Sequence, residues 1–169
     1  MKYGIAIFPK EEIQAEANAY RKRYDPKFTH IDPHITLKQA FSIAENDLPN
    51  IKEALAQIAN EVKPFTITIS KVRSFAPVTY TIFFKVDPHD SLTYLHEKMH
   101  ESPLPTEKEH PFVPHITIGQ ELREDEFSDI YESLRMKDIY FENDVETFHL
   151  LRRENEESSW ELVETFHLG

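Results

Sequence analysis

The sequence predicts an α+β fold that is built from two successive β-α-β-α-β units. Segments in which apolar and polar residues alternate, as in half-buried strands, are separated by segments in which apolar residues recur every three or four positions, as in amphipathic helices. The order of these segments repeats along the chain, because Pro88 follows Pro9 by 79 positions and His115 follows His34 by 81. Such a nearly constant offset indicates an internal duplication.

The length of the chain favours one domain. A chain of 169 residues with 40% hydrophobic content can bury a substantial core, whereas each half alone lies near the lower limit for independent folding. We therefore expect a single two-lobed domain over residues 1–169, with the cleft between the lobes. The predicted repeats span about 1–76 and 78–151, and a C-terminal strand is predicted over 158–168.

The first unit contains a helix whose charges complement the helix dipole. Acidic residues occupy its first turn, and Arg21, Lys22 and Arg23 occupy its last. Asn46 or Asp47 is the expected N-cap of the second helix. The predicted elements are a strand over 1–9, a helix over 11–24, a strand from 34, a helix over 48–62 and a strand over 65–70.

The second unit follows the same order. A final strand, from Trp160 to Phe166, has no counterpart in the first unit. The other predicted elements are a strand over 80–86, a short helix over 92–99 that begins after Asp90, a strand from 115, a helix over 127–134 and one less regular strand over 140–151.

Each unit carries one copy of the tetrapeptide Pro-His-Ile-Thr, at 33–36 and at 114–117. Residues i and i+2 of a strand point to the same face, so each copy presents a histidine beside a threonine. If the two strands face each other, His34, Thr36, His115 and Thr117 share one cleft. Two imidazoles and two hydroxyls can move protons and hold a phosphate.

The composition excludes several classes of site. The chain has no cysteine, so disulfides and cysteine-bound zinc are excluded. It has 11 prolines but only 3 glycines, and the sequence contains neither a glycine-rich phosphate loop nor a dinucleotide-binding fingerprint. We find no signal peptide and no apolar run long enough to span a membrane, and we expect a cytoplasmic protein without a cofactor.

The net charge of −11 is concentrated in one part of the chain. Residues 1–119 carry 14 basic and 15 acidic side chains, whereas residues 120–169 carry 5 and 15. Binding of long nucleic acid through its phosphates is therefore disfavoured. A small nucleotide or an RNA end remains compatible with a cleft that is locally basic.

The paired motifs resemble the 2H phosphoesterase superfamily, which includes 2′-5′ RNA ligase-like proteins and cyclic nucleotide phosphodiesterases. Residues 34–37 and 115–118 match its His-x-Thr-x motifs, and the resemblance extends from the first strand to the last. It implies a bilobal α+β fold in which two mainly antiparallel sheets flank a central cleft, with helices outside. It also implies metal-independent chemistry on 2′,3′-cyclic phosphates or 2′-5′ phosphodiester bonds, with both histidines as catalysts.

Histidine suits such a reaction because its ordinary pKa is about 6.5, so that one copy can act as a base and the other as an acid. We expect His34 to be the proton donor and His115 the proton acceptor, although the two motifs are nearly equivalent. Thr36 and Thr117 would donate hydrogen bonds to the nonbridging oxygens. Lys38 continues the face of His34 and is a weaker candidate for binding substrate.

Two alternatives stay open at this stage. A metal site would need further ligands beside the histidines; Asp32 lies on the face of His34, but its counterpart is Val113. A non-catalytic module could use the same cleft to bind a nucleotide or an RNA end. Of the other polar residues, His30 could line the entrance to the cleft, and Arg152 and Arg153 could either form surface ion pairs or turn into it.

Overall fold

The structure is a computed structural model that describes residues 1–108 and 110–169. Within these residues, eight strands form two four-stranded antiparallel sheets, and four helices pack around them. This arrangement confirms the predicted α+β fold. The strands are β1 (Lys2–Ile7), β2 (Ile35–Phe41), β3 (Phe65–Ser74), β4 (Ile82–Val86), β5 (His115–Gly119), β6 (Phe141–Val145), β7 (Thr147–Arg153) and β8 (Glu161–His167). The helices are α1 (Glu11–Tyr24), α2 (Leu48–Glu61), α3 (Asp90–Lys98) and α4 (Glu124–Leu134).

The two sheets exchange strands between the repeats. The strand order is β2-β1-β7-β8 in the first sheet and β5-β4-β3-β6 in the second. β3, which follows the helices of the first unit, pairs with β4 of the second, and β7 correspondingly pairs with β1. Each sheet therefore contains strands from both halves of the sequence, which ties the halves together.

The prediction of a single strand over 140–151 is wrong. The structure divides it into β6 and β7, which lie in different sheets on either side of Glu146. The inward-facing residues change phase at this point: Asn143 and Val145 are buried before the break, and Phe148 and Leu150 are buried after it. As a result, β8 does have a counterpart, although the sequence predicted none: β8 pairs with β7 in one sheet as β6 pairs with β3 in the other.

The N-terminus of α2 also differs from the prediction. Asp47 occupies the N-cap position, but its backbone is helical and its side chain makes no capping hydrogen bond. A 3-10 turn over Glu45–Asp47 leads into the helix instead, and a proline lies in the first turn of α2. The chain thus enters the helix through a continuous turn, and the Asp47 side chain does not accept a hydrogen bond from the backbone of the first turn.

The core lies between the sheets and the helices that cover them. α1 packs against β5 of the other unit, and α3 packs against β2, so that the helices also cross between repeats. The largest fully buried side chains include Ile5, Ile7, Ile13, Ile35, Leu37, Leu55, Ile67, Ile69, Ile82, Phe84, Leu92 and Phe148.

Both motif strands are edge strands, because β2 ends the first sheet and β5 ends the second. These two edges contact each other, and a cleft opens where they meet. Over residues 1–108 and 110–169, no helix combines the length and the apolar character that a membrane span requires.

Candidate active site

The four motif residues line one cavity of about 320 Å³. His34 and Thr36 reach it from β2 and the residue before that strand, and His115 and Thr117 reach it from β5. All four side chains are half-buried, so they are held by the fold and still open to the cleft. The arrangement that the motif predicted, with two imidazoles and two hydroxyls in one cleft, is therefore present in the structure.

The two imidazoles are oriented in the same way. Nδ1 of His34 lies 2.9 Å from the carbonyl oxygen of Asp32, and Nδ1 of His115 lies 2.6 Å from that of Val113. A carbonyl oxygen can only accept a hydrogen bond, so Nδ1 of each ring carries the proton and donates it. This leaves Nε2 of both rings as the basic nitrogen when the rings are neutral.

The surroundings of the histidines favour their neutral forms. Burial is the main cause that lowers the pKa of His34 to about 4; the nearby charges of Arg21 and His115 lower it further, and the hydrogen bond to Asp32 partly opposes them. Burial likewise lowers the pKa of His115, against the opposing hydrogen bond to Val113. Both rings are therefore neutral at pH 7.

Aromatic rings enclose His115 more closely than His34. The ring of Phe75 meets the His115 imidazole edge-on at 4.9 Å, and the ring of Phe83 lies at 5.0 Å. The corresponding neighbour of His34 is Phe8, at 6.3 Å. The two phenyl rings beside His115 explain how its imidazole can be desolvated at the border of an open cavity.

A buried ion pair, which the sequence analysis missed, lies in the wall of this cavity. Arg21 Nε donates to Asp25 Oδ2 at 3.1 Å, and the two residues are 2% and 5% exposed. The remaining donors of Arg21 bind the Asn18 side chain and the carbonyl oxygen of Ile31. The sequence indicated only that Arg21 complements the helix dipole, whereas in the structure its guanidinium also fixes the loop that leads from α1 to the first motif.

The same ion pair connects the two motifs. Asp25 Oδ1 accepts hydrogen bonds from the backbone N–H of Lys27 and from Nε2 of Gln120, both at 2.8 Å. Gln120 directly follows β5, and its own backbone N–H donates to the carbonyl oxygen of Tyr24. One sequence signal was present: Arg21 continues the buried stripe of Ile13 and Ala17 on α1 at intervals of four.

The ammonium group of Lys38, a candidate for binding substrate, hydrogen-bonds to the protein backbone. The pairing of β1 with β2 shifts register between Ile5 and Ala6, which interrupts the alternation that would keep Lys38 on the face of His34. Lys38 lines the cavity, but its Nζ donates to the carbonyl oxygen of Pro105 at 2.7 Å and lies over the Phe41 ring. Burial and the nearby Lys108 lower its pKa to about 8. Its contact with substrate stays a prediction.

Four further residues of the cavity wall contact one another, and we call their part of the cavity its far end: Lys27, His30, Arg153 and Trp160. They come from the loop after α1, the end of β7 and the residue before β8, so His30 and Arg153, whose places the sequence left open, belong to the cavity wall. Arg152 instead forms a surface ion pair with Glu161 at 3.8 Å, the alternative that the sequence also allowed. No group of three or more His, Asp or Glu side chains in the described residues is arranged to hold a metal ion.

Comparison with known proteins identifies the family. The family model of the 2′-5′ RNA ligase superfamily matches residues 9–157. The chain is 52% identical over 169 residues to "Putative phosphoesterase OB1230" of Oceanobacillus iheyensis, covering 100% of this chain and 99% of that protein. The chain belongs to the 2′-5′ RNA ligase superfamily. At this coarse level it is grouped with phosphoesterases, whose reaction and substrate the names do not specify.

Two solved structures share the fold. LigT of E. coli in its apo form superposes with a TM-score of 0.73 at 16% identity, covering 99% of this chain and 96% of LigT. TT0787 of Thermus thermophilus gives a TM-score of 0.71 at 21% identity, with coverages of 99% and 98%. LigT has also been solved in complexes with 3′-AMP, NADP+ and ATP.

Proposed function

We propose that this member of the superfamily is a metal-independent phosphoesterase that hydrolyses, or reversibly forms, 2′,3′-cyclic phosphates or 2′-5′ phosphodiester bonds of nucleotides or RNA ends. The observation that carries the proposal is the matched orientation of His34 and His115. Each ring donates from Nδ1 to a backbone carbonyl two residues before it, and both rings border the same cavity. Two Nε2 atoms facing one phosphate are what acid–base catalysis of an in-line displacement requires.

In the proposed hydrolysis, Nε2 of His115 accepts a proton from a water molecule as its oxygen attacks phosphorus. The bond from phosphorus to one ribose oxygen breaks, and Nε2 of His34 donates its proton to that oxygen. The hydroxyls of Thr36 and Thr117 donate hydrogen bonds to the nonbridging oxygens, on which negative charge grows in the transition state. Exchange of protons with solvent afterwards restores both rings. The reverse reaction exchanges their roles.

The proton donor has to be charged, although burial lowers the pKa of His34 to about 4 and so favours its neutral form. An anionic phosphate close to the imidazole stabilises the imidazolium and so raises this pKa. Binding of substrate is therefore expected to be accompanied by the uptake of a proton. This coupling places the donor in its active form only when a phosphate is present.

The charge of the cavity fits an anionic ligand. Among the described residues, its lining contains the basic side chains of Arg21, Lys27, Lys38 and Arg153 and one acidic side chain, that of Asp25, although the whole chain carries a net charge of −11. Such a local excess of positive charge attracts anions to the cleft of an acidic protein. The complexes of LigT with 3′-AMP, NADP+ and ATP support small nucleotides as the ligand class.

The proposal is tested by incubating a panel of 2′,3′-cyclic nucleotides with the wild type and with a His34→Ala, His115→Ala double variant in the presence of EDTA. Turnover by the wild type alone is the expected result, and the identity of the product, a 2′- or a 3′-phosphate, shows which ribose oxygen leaves. Equal rates for the two proteins would contradict the proposal. Stoichiometric binding of nucleotides without any product would instead favour the non-catalytic binding module.

A further inference from the structure

The far end of the cavity contains an arginine that the proposed reaction does not use. Arg153 is the last residue of β7, and alternation along that strand places it on the same face as Leu151, which also lines the cavity. Its neighbour Arg152 points to the opposite face and pairs with Glu161. The two arginines, adjacent in sequence, therefore have different surroundings, and only one of them faces the cleft.

Arg153 is held in place by a stack of three residues. Its guanidinium carbon lies 4.8 Å from the ring centre of Trp160, a favourable cation–π geometry. The other neighbour of the indole is Gly4 on β1, where an added Cβ would lie 3.2 Å from two atoms of the Trp160 ring. The glycine thus allows the indole to approach the sheet closely, and the indole in turn supports the guanidinium.

Two buried polar atoms at this end have no hydrogen-bond partner among the described residues. Nε of Arg153 is buried and has no hydrogen-bond partner in the described part of the chain, and the same is true of Nδ1 of His30. Lys27 adds a second cation to the same wall. Buried donors without acceptors cost free energy, and a guanidinium fork matches the oxygens of a phosphate.

The backbone of Arg153 lies well away from the backbone of the first motif. Thr36 pairs with Ala6 on one side of β1, and Arg153 pairs with Lys2 on the other side. Four residues of a strand span roughly 13 Å, and crossing β1 adds two strand spacings of about 4.8 Å each. An anion at Arg153 is therefore a different group from the phosphate that lies between the motifs.

We propose that Arg153, positioned by Trp160 and assisted by Lys27, binds a second phosphate of the substrate. The inference rests on the proposed function and makes its substrate class narrower: the substrate is a nucleotide that carries another phosphate on the 5′ side of its reacting nucleotide, as an oligonucleotide end or a 5′-phosphorylated nucleotide does. A nucleoside 2′,3′-cyclic phosphate without that group leaves Arg153 unpaired and is a poorer ligand.

Equilibrium binding tests this subsite without depending on turnover. Calorimetric titration compares adenosine 2′-monophosphate with adenosine 2′,5′-bisphosphate and with a 3′-5′-linked dinucleotide that ends in a 2′-phosphate. The wild type is expected to bind the two ligands that carry a second phosphate roughly tenfold more tightly or better, as a charge-assisted hydrogen-bond pair would give. Arg153→Gln is expected to remove this advantage while changing the affinity for the monophosphate less than about twofold.

Matched variants separate the subsite from general effects. Arg152→Gln removes the same charge one residue away and should leave all three affinities unchanged. Trp160→Leu should reduce the advantage of the second phosphate, and Trp160→Phe should restore part of it, because Trp160 acts by positioning Arg153. Comparison of the dinucleotide with the bisphosphate distinguishes an internal phosphodiester from a terminal phosphate as the natural group.

Equal binding of all three ligands by the wild type would overturn the inference, as would equal weakening of all three by Arg153→Gln. Neither result would bear on hydrolysis of cyclic nucleotides, which measures the proposed function separately. Conversely, an advantage of the second phosphate in a protein that turns over no cyclic phosphate would preserve the subsite and refute only the proposed reaction.

Discussion

The buried ion pair between Arg21 and Asp25 gives the sharpest prediction about stability. Asp25→Asn preserves the shape of the side chain, but it removes the negative charge opposite a guanidinium that is only 2% exposed, and it replaces one of the two accepting oxygens by an amide donor. Removal of one partner from a buried pair costs about 3–5 kcal/mol, because the remaining charge is left without compensation. The free energy of unfolding should therefore fall by about that amount.

The magnitude can be checked by urea unfolding followed by far-UV circular dichroism, with wild type and variant compared at the same pH. Asp129→Asn on α4 is a matched control, since it removes an exposed carboxylate and should change the unfolding free energy by less than about 0.5 kcal/mol. The double variant Arg21→Met, Asp25→Leu should be more stable than Asp25→Asn, because it leaves no unpaired charge. A loss below about 1 kcal/mol in Asp25→Asn would refute this account of the pair.

Further predictions concern the catalytic groups and their pH dependence. Thr117→Val should lower kcat on a cyclic nucleotide by roughly 10²-fold with little change in KM, because its hydroxyl acts on developing charge; comparable rates from the valine variant would exclude that role. The free energy of unfolding should fall as the pH drops from about 6.5 towards 4, since His34 binds a proton at a higher pH in the unfolded chain than in the folded one. Over this range a His34→Gln variant should lose about 1–3 kcal/mol less of that free energy than the wild type, as urea unfolding at several pH values would show. For the same reason kcat/KM should be highest on the acid side of 6.5, and a maximum above pH 8 would contradict the lowered pKa values of both histidines. Lys38→Met should leave kcat/KM within a few-fold of the wild type, because the ammonium already binds Pro105; a loss of two orders of magnitude would restore Lys38 as a substrate ligand.

Local patterns predicted most of the elements and the centre of the site. Alternation and helical spacing depend on which residues face the core, so they located α1 over Glu11–Tyr24 without error. The pairing of His34 with Thr36, and of His115 with Thr117, follows from the two-residue period of a strand. That both pairs share one cavity followed from the duplication, because equivalent strands occupy equivalent edges of the two sheets.

The features that were missed depend on contacts between distant parts of the chain. The exchange of β3 and β7 between the sheets leaves no local signal, although the phase change between Val145 and Phe148 marks the break before β7. The shift in register beside Lys38 is likewise a property of two paired strands. Composition could not assign Arg153 to the cavity either, since its surroundings depend on Trp160 and Gly4, which are far apart in sequence.

The most direct test of the central claim is to measure each histidine variant on two substrates that differ in their leaving group. A 2′,3′-cyclic nucleotide needs a proton donor for its ribose oxygen, whereas a nitrophenyl ester of a nucleotide has a leaving group that departs without one. Both His34→Ala and His115→Ala should be inactive on the cyclic nucleotide. On the nitrophenyl ester, His34→Ala should regain turnover and His115→Ala should not. Rescue of His115→Ala alone would exchange the two roles, and turnover of the cyclic nucleotide by either single variant would contradict two-histidine catalysis.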